Sequence, residues 1–364
     1  MGDRMRPVPF EELIDRIFSE YSNHGTIFGI HKEDFYKTNP KHSITVFGQK
    51  CAVPLGPAAG PHTQLAQNIV SAYMVGGRFM ELKTVQIMDH LEIAKPCIDA
   101  RDEGHNVEWS TEYTLEKAYD EYLKAYFVLH LIQAAFTGKV EEPDFIFNMS
   151  VGYNLEGIKQ PKMQTYIDSM IDANKSPLFK QYKTSLKNII EEGNLLEGTD
   201  LEGNEKALKA LENRISANIC PSVTISTMHG CPPKEIEAIC SYMLTEKKLN
   251  TFVKLNPTLL GYDKVRSILD ETGFNHVGLK RESFEHDLQY SDAIAMLHRL
   301  VELAKKQGLG FGVKLTNTLG NINDGIVLPG EEKYMSGRAL LPISTTVASL
   351  LSEEVDGKLP VSYS

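Results

Sequence analysis

The sequence predicts a parallel α/β fold: a (β/α)8 barrel of the TIM, aldolase type, incomplete at its C-terminal end and carrying helical insertions. Three observations point there. Short apolar runs alternate with amphipathic runs along the chain, the pattern of β-strands joined by crossover helices. Several of the apolar runs are nearly continuous, as in strands covered on both faces. Chemistry-bearing residues cluster just after many different strand ends, which suits the loops at one face of a barrel. An open doubly wound sheet competes with this reading, but G-x-G-x-x-G follows none of the strand candidates.

The strand candidates, in order, are Cys51–Gly56, Phe79–Thr84, Phe145–Ser150, Ser222–Met228, Thr251–Asn256, His276–Lys280, Gly310–Thr316 and Leu359–Tyr363. Thr114–Phe136 is a long amphipathic run. Pro233–Leu249 opens on two prolines and places Ile236, Ile239, Cys240, Met243 and Leu244 on one stripe. A helix to Gln307 starts at a Ser291 cap, turns Ile294, Leu297, Val301 and Ala304 inward, and stops at Gly308. The expected organisation is a single barrel-like domain over 1–364. It has an N-terminal extension (1–45) and insertions at 85–140 and 157–220. The closing LPVSYS reads as a buried strand with no following helix, so the chain is expected to be a fragment of a longer multi-domain protein.

Composition narrows the function classes. The chain has 364 residues, 42% hydrophobic and 24% charged, enough for a large core without covalent staples. A net charge of −10 does not support a nucleic-acid footprint. Five cysteines, Cys51, Cys97, Cys220, Cys231 and Cys240, include no C-x-x-C pair, against a disulfide framework or a zinc or iron–sulfur site within this chain. No apolar run approaches the length of a membrane span. The opening MGDRMRPVPF lacks a secretory apolar stretch, so a cytoplasmic location is expected.

The candidate site residues lie at the strand ends. In PLGPAAG, the small residues Ala58, Ala59 and Gly60 let backbone approach a ligand, or simply make a tight turn. Lys83 and Thr84 end FMELKT, while Lys254 and Lys314 sit in FVKLNP and FGVKLTNT. A lysine ammonium there needs an anion, an electron-rich ring or a salt bridge. Asn148, Asn256 and Asn317 offer donors and acceptors for the edge of a flat heterocycle, or serve as turn residues. Ser226 and Cys231 are candidates for a general acid or base, with His229 as a base near neutral pH; Cys231 is equally read as a small buried residue before a proline-started helix.

These motifs carry a resemblance. PLGPAAG, ELKT, VKL and LTNTLGN resemble the flavin-cradling strand ends of the dihydroorotate and dihydropyrimidine dehydrogenase barrels. MSGRALLPISTTVASL (Met335–Leu350) and LPVSYS resemble the stretch leading into that superfamily's seventh strand, just ahead of its phosphate loops. More closely, the chain resembles the N-terminal part of the YgfK-type selenate reductase subunits. MGDRMRPVPFEELIDRIF, PLGPAAGPHTQLAQNIV, FNMSVGYNLEGIKQP, STMHGCPPKEIEAIC and VKLNPTLLGY carry that likeness.

The resemblance implies an oxidoreductase whose flavin-barrel domain precedes iron–sulfur (4Fe-4S) and FAD/NAD(P)H-binding regions. FMN would lie over Ala58, Ala59 and Gly60. Lys83 and Thr84 would sit near its ring, Lys254 or Lys314 at its electron-rich edge, and Asn148 and Asn317 on flavin or substrate. Cys231-Pro232 is similar to the Cys-Pro of the dehydrogenases' catalytic loop. FAD and 4Fe-4S are expected only outside this chain. The partners implied are a small-molecule substrate and redox domains or subunits, with no nucleic acid and no membrane. Two other readings stay open: a degenerate barrel serving as a scaffold or docking domain, and an aldolase-type barrel with Lys254 or Lys314 as a Schiff-base lysine.

Overall fold

A computed structural model describes residues 6–84, 87, 96–101, 103–107, 113–138, 140, 142–192, 196–226, 229–355, 357 and 359–363. Six strands form one parallel sheet: β1 (Phe79–Glu81), β2 (Ile146–Gly152), β3 (Ser222–Ser226), β4 (Asn250–Leu255), β5 (Phe311–Leu315) and β6 (Val361–Tyr363). Each pairs with the next in chain order, from β1 at one edge to β6 at the other.

The sheet curls. Lys314 on β5 forms an ion pair with Glu81 on β1, four strand steps away. In a flat sheet those strands would lie about 19 Å apart at about 4.8 Å per step. The rings of Phe79 on β1 and Phe252 on β4, three steps apart, also meet at 6.3 Å between centroids. The result is a half-barrel that is not fully closed, an incomplete (β/α)8-like barrel as the sequence predicts.

Alternation along the strands sorts the side chains by face. Met80, Phe147, Met149, Val151, Val223, Ile225, Val253, Leu255, Val313 and Leu315 are buried in the main apolar core with the helices. Those helices include α1 (Phe10–His24), α2 (Ala66–Met74), α3 (Leu115–Thr137), α4 (Pro161–Ile171), α5 (Pro177–Glu192) and α6 (Glu205–Arg214). Beyond them come α7 (Pro233–Thr245), α8 (Tyr262–Glu271), α9 (Tyr290–Gln307) and α10 (Leu340–Glu354). The alternate positions face inward and are largely polar: Glu81, Asn148, Ser150, Ser222, Thr224, Ser226, Lys254 and Lys314. A strand buried on both sides thus reads as apolar only on its helix-facing side.

Several expectations are corrected. Cys51–Gly56 is not a sheet strand: only Cys51 is in a strand (Gln49–Cys51), which makes a hairpin with Ile44–Val46. The segment after it runs irregularly beside β1, its Leu55 carbonyl accepting from Arg78 and Phe79 N–H and its Pro57 carbonyl from Glu81 N–H. Pro54 and Pro57 lack the N–H groups a regular ladder needs. His276–Lys280 is likewise not a strand of this sheet. Gly278 accepts a backbone bond from Ile322, but the run forms no strand. Leu359–Tyr363 is an edge strand rather than a buried one, with Val361 and Tyr363 exposed. The last two residues of Ser222–Met228, Thr227 and Met228, lie outside the described residues.

The helix expectations hold with shifted ends. On α7 all five stripe residues are buried, and the helix stops at Thr245. On α9 the N-cap position is Gln289 rather than Ser291, the buried face runs through Ala293, Met296, Leu297, Leu300 and Ala304 with Ile294 and Val301 only half-buried, and Gly308 ends the helix in the left-handed region at φ +68°. Thr114 caps α3 through its side-chain oxygen. A second, antiparallel sheet was not foreseen. It orders Leu319–Ile322, Glu332–Ser336, Gly104–Asn106 and Ile98–Asp99 side by side and stands beyond the C-terminal ends of β1 and β5.

Candidate functional site

Curling brings four charged groups from distant parts of the chain into the half-barrel. Lys83, Lys254, Lys314 and Glu81 are all at least 94% buried. Glu81 was missed by sequence reasoning, although it sits two residues before Lys83 and so shares its face. One carboxylate oxygen of Glu81 takes Lys314, and the other has no hydrogen-bond partner among the described residues. Burial lowers the pKa of Lys254 to about 8; Glu81 opposes that shift and Lys314 adds to it. Burial also lowers Lys83, to about 7, with the Lys254 charge contributing. Three amines therefore share an interior with one carboxylate among the inward-facing groups, and two of them hold their protons weakly. The arrangement favours an anionic or electron-rich occupant.

The small-residue loop lies at this cluster. His62 hydrogen-bonds the Ala58 backbone, and its pKa is lowered by shielding from water and then by Lys83. A Cβ at Gly60 would fall 2.7 Å from the exposed His62 ring, a contact that turning this side chain relieves. Thr84 donates to Ser150 at 3.1 Å on the neighbouring strand. Ser226 stands beside both Gly152 and Lys254 in the sheet register.

The amides do different jobs. Asn148 donates to Thr224 at 2.7 Å and accepts from Ser222 at 2.6 Å, tying β2 to β3 inside the half-barrel. Asn317 lies just past β5; its N–H donates to the Leu255 carbonyl and its side-chain oxygen accepts from Thr318 N–H. Asn256 donates to Asp287 at 3.0 Å.

A cleft of about 770 Å³ opens between the loops that follow β2 and β3. Asn154, Lys159, Gln160, His229, Cys231 and Glu235 are among its lining residues. Burial pushes the Cys231 thiol up to about 11, with help from Glu235 and Asp287, so the thiol keeps its proton at neutral pH. Asp287, also missed by sequence reasoning, is buried and accepts four bonds, from Gly230 N–H, Asn256, Thr258 and His229. Burial alone would raise its pKa, but the hydrogen bonds from His229, Gly230 and Thr258 outweigh it and lower the value. No local motif marks Asp287, because its four partners come from other loops.

Among the described residues no three His, Cys, Asp or Glu side chains are grouped to hold a metal, and all five cysteines are free thiols. None of the described helices is long and apolar enough to cross a membrane.

A curled parallel half-barrel with its polar residues gathered inside and at the strand ends defines a protein of the (β/α)8-barrel class. The chain belongs to the family described as Oxidoreductase YgfK, N-terminal TIM-barrel domain, which it matches over residues 28–364. It is 61% identical over all 364 residues to the YgfK proteins of Escherichia coli strain K12 and of Escherichia coli O157:H7. It spans 35% of the length of each, about a third. Among solved structures, a ligand-free DHODH from Eimeria tenella matches 97% of this chain and 82% of its own at 14% identity and a TM-score of 0.42.

Proposed function

We propose that this chain is the flavin-barrel domain of a larger iron–sulfur flavoprotein oxidoreductase, and that FMN occupies the half-barrel above Lys83 and Lys254. The observation that carries the reading is the buried group of three lysines gathered around Glu81. An anionic cofactor suits amines held so close together, and the residues fit it. When bound, FMN accepts a hydride equivalent from a small substrate and hands electrons onward. Ala58, Ala59 and Gly60 hold the cofactor through backbone groups, with Gly60 admitting close approach. Lys83 and Lys254 regain protons against it, and Lys314 stays neutralised by Glu81. Thr84 and Asn317 orient the ring edge, while Asn148 stiffens the floor through Ser222 and Thr224. Ser226, beside Lys254 on the neighbouring strand, is a further general acid or base at the site. Cys231, which keeps its proton at neutral pH, would offer its S–H as a hydrogen-bond donor to the substrate in the cleft.

The remaining two thirds of the relatives' length leave room for FAD, NAD(P)H and 4Fe-4S regions. The substrate is a small molecule held over the ring, and selenate is one member of the class to assay. The domain works as one unit over 1–364, in the cytoplasm, with redox domains or subunits as partners.

The experiment is an absorbance spectrum and an FMN titration of the protein purified from its complete reading frame. Stoichiometric flavin, with affinity lowered at least tenfold by Lys83→Ala, is the expected result. A colourless protein that also ignores added FMN would turn the reading to a scaffold or docking domain.

A further inference from the structure

His229 is the one group of the cleft whose chemistry is fixed from outside it. Its Nδ1 lies 3.1 Å from an Asp287 carboxylate oxygen. A carboxylate can only accept, so Nδ1 carries a hydrogen and Nε2 of the neutral ring is left as a bare lone pair. The ring cannot turn freely: Tyr334, from the antiparallel sheet, stacks on it at 5.6 Å and 20°. Asp287 cannot turn either, since Gly230, Asn256 and Thr258 hold both its oxygens. Nε2 is buried and has no hydrogen-bond partner among the described residues. A buried acceptor left unpartnered in this way is ready to take a proton or hydrogen bond from an occupant. The ring lines the cleft two residues from Cys231, at the C-terminal end of β3 where barrels build their sites.

We propose that His229 Nε2 is the proton acceptor of this cleft, with Asp287 as the positioning residue that fixes its tautomer. The occupant is a molecule that brings an acidic N–H, O–H or C–H to Nε2. The proton passes to Nε2, the electron pair stays on the occupant, and the imidazolium so formed rests on Asp287. No electrons change owner in this step. It rests on reading the cleft as the place where substrate sits, and pairs an acceptor with the Cys231 donor.

The test is diethyl pyrocarbonate labelling of the protein, mapped by mass spectrometry, because the reagent acylates only a bare imidazole nitrogen. Labelling at His229 is expected, more slowly than at exposed His24 because Nε2 is shielded from water. In Asp287→Asn the side-chain amide can donate to Nδ1, which leaves the hydrogen on Nε2, and the His229 rate is expected to fall at least tenfold while His24 is unchanged. His229 left unlabelled in the unsubstituted protein overturns the proposal without any variant. So does an equal rate in Asp287→Asn, provided its thermal unfolding shows it folded; Asp287→Glu, expected to keep the rate, guards against a folding loss. FMN titration of the same samples separates the two readings. Failure to bind FMN with a reactive, Asp287-dependent His229 sinks the flavin reading alone, and an unreactive His229 in a flavin-replete protein sinks this one alone.

Discussion

Lys314 and Glu81 reach each other across the inside of the sheet from strands that three other strands separate. Their ion pair is therefore a clasp on the curl, and both partners are buried. Removing one partner of a buried pair strands the other charge, at about 3–5 kcal/mol. Glu81→Gln and Lys314→Met are each expected to lose stability on that scale in urea unfolding. The double variant Glu81→Gln/Lys314→Met is expected to recover much of the loss, since replacing a whole buried pair is often nearly neutral. A double variant no better than the worse single one would show that the pair does not act as a unit.

Lys83 and Lys254 give the cofactor-free domain a pH signature. Their folded pKa values of about 7 and 8 lie below the ordinary lysine value of 10.5. Between those limits the unfolded chain binds more protons than the folded one, so stability rises with pH. From the other side, the thiols of Cys51 and Cys231 are raised to about 11, so above about pH 9 the unfolded chain ionises them first and they offset the lysines. A melting temperature that climbs from pH 7 and levels off above about pH 9 is the expected curve. A monotonic fall from pH 7 would refute it.

The same lysines predict proton uptake on cofactor binding. An anion placed against amines with depressed pKa values restores their protons. Calorimetric FMN titrations at pH 8 in two buffers of different ionisation enthalpy should differ in apparent heat, by an amount that corresponds to net proton uptake. Heats identical in both buffers would mean that the occupant does not face Lys83 and Lys254.

The sequence made the parallel strands legible because their helix-facing residues are a clean apolar set, Val223 and Ile225 or Val253 and Leu255, and because Lys254 and Lys314 interrupt those runs near their ends. It misread Cys51–Gly56, where the apolar pattern is right but Pro54, with Pro57 just beyond, removes ladder donors. It also misread His276–Lys280, whose apolar residues serve a second core with Leu319 and Met335 rather than the barrel. The antiparallel sheet was invisible because Gly104–Asn106 pairs with Glu332–Ser336, more than two hundred residues away. Glu81 and Asp287 were missed for the same reason: each is defined by partners that only the curl and the loop packing bring near.

Asn148 shows how a site-like residue serves the scaffold. It is fully buried, and both ends of its amide are engaged by Ser222 and Thr224. Asn148→Leu leaves those two hydroxyls without it, at about 1–3 kcal/mol each. The expected result is a large loss of stability in denaturant unfolding, much of it restored in Asn148→Leu/Ser222→Ala/Thr224→Val. If the triple variant regains stability but not FMN affinity, Asn148 also contacts the cofactor; if it regains both, its role is confined to joining β2 and β3.

Gly56 tests whether the small-residue loop is positioned by β1. The backbone there runs so close that a Cβ would fall 1.7 Å from the Phe79 carbonyl oxygen, which neither side can yield without moving the strand or the loop. Gly56→Ala must therefore displace one from the other, at a cost of at least about 1–3 kcal/mol by the scale of overpacked interiors. Because Ala58–Gly60 follows within a few residues, the shift would carry the loop away from Lys83 and weaken FMN binding along with stability. Gly320→Ala is the control: a Cβ there meets only the Tyr334 ring, at an ordinary 3.6 Å, so unfolding and binding should stay close to those of the unsubstituted protein. A Gly56→Ala protein as stable as the control would mean that the Pro54–Gly60 segment is not seated against β1, and the assignment of its backbone to the cofactor would fall with that contact.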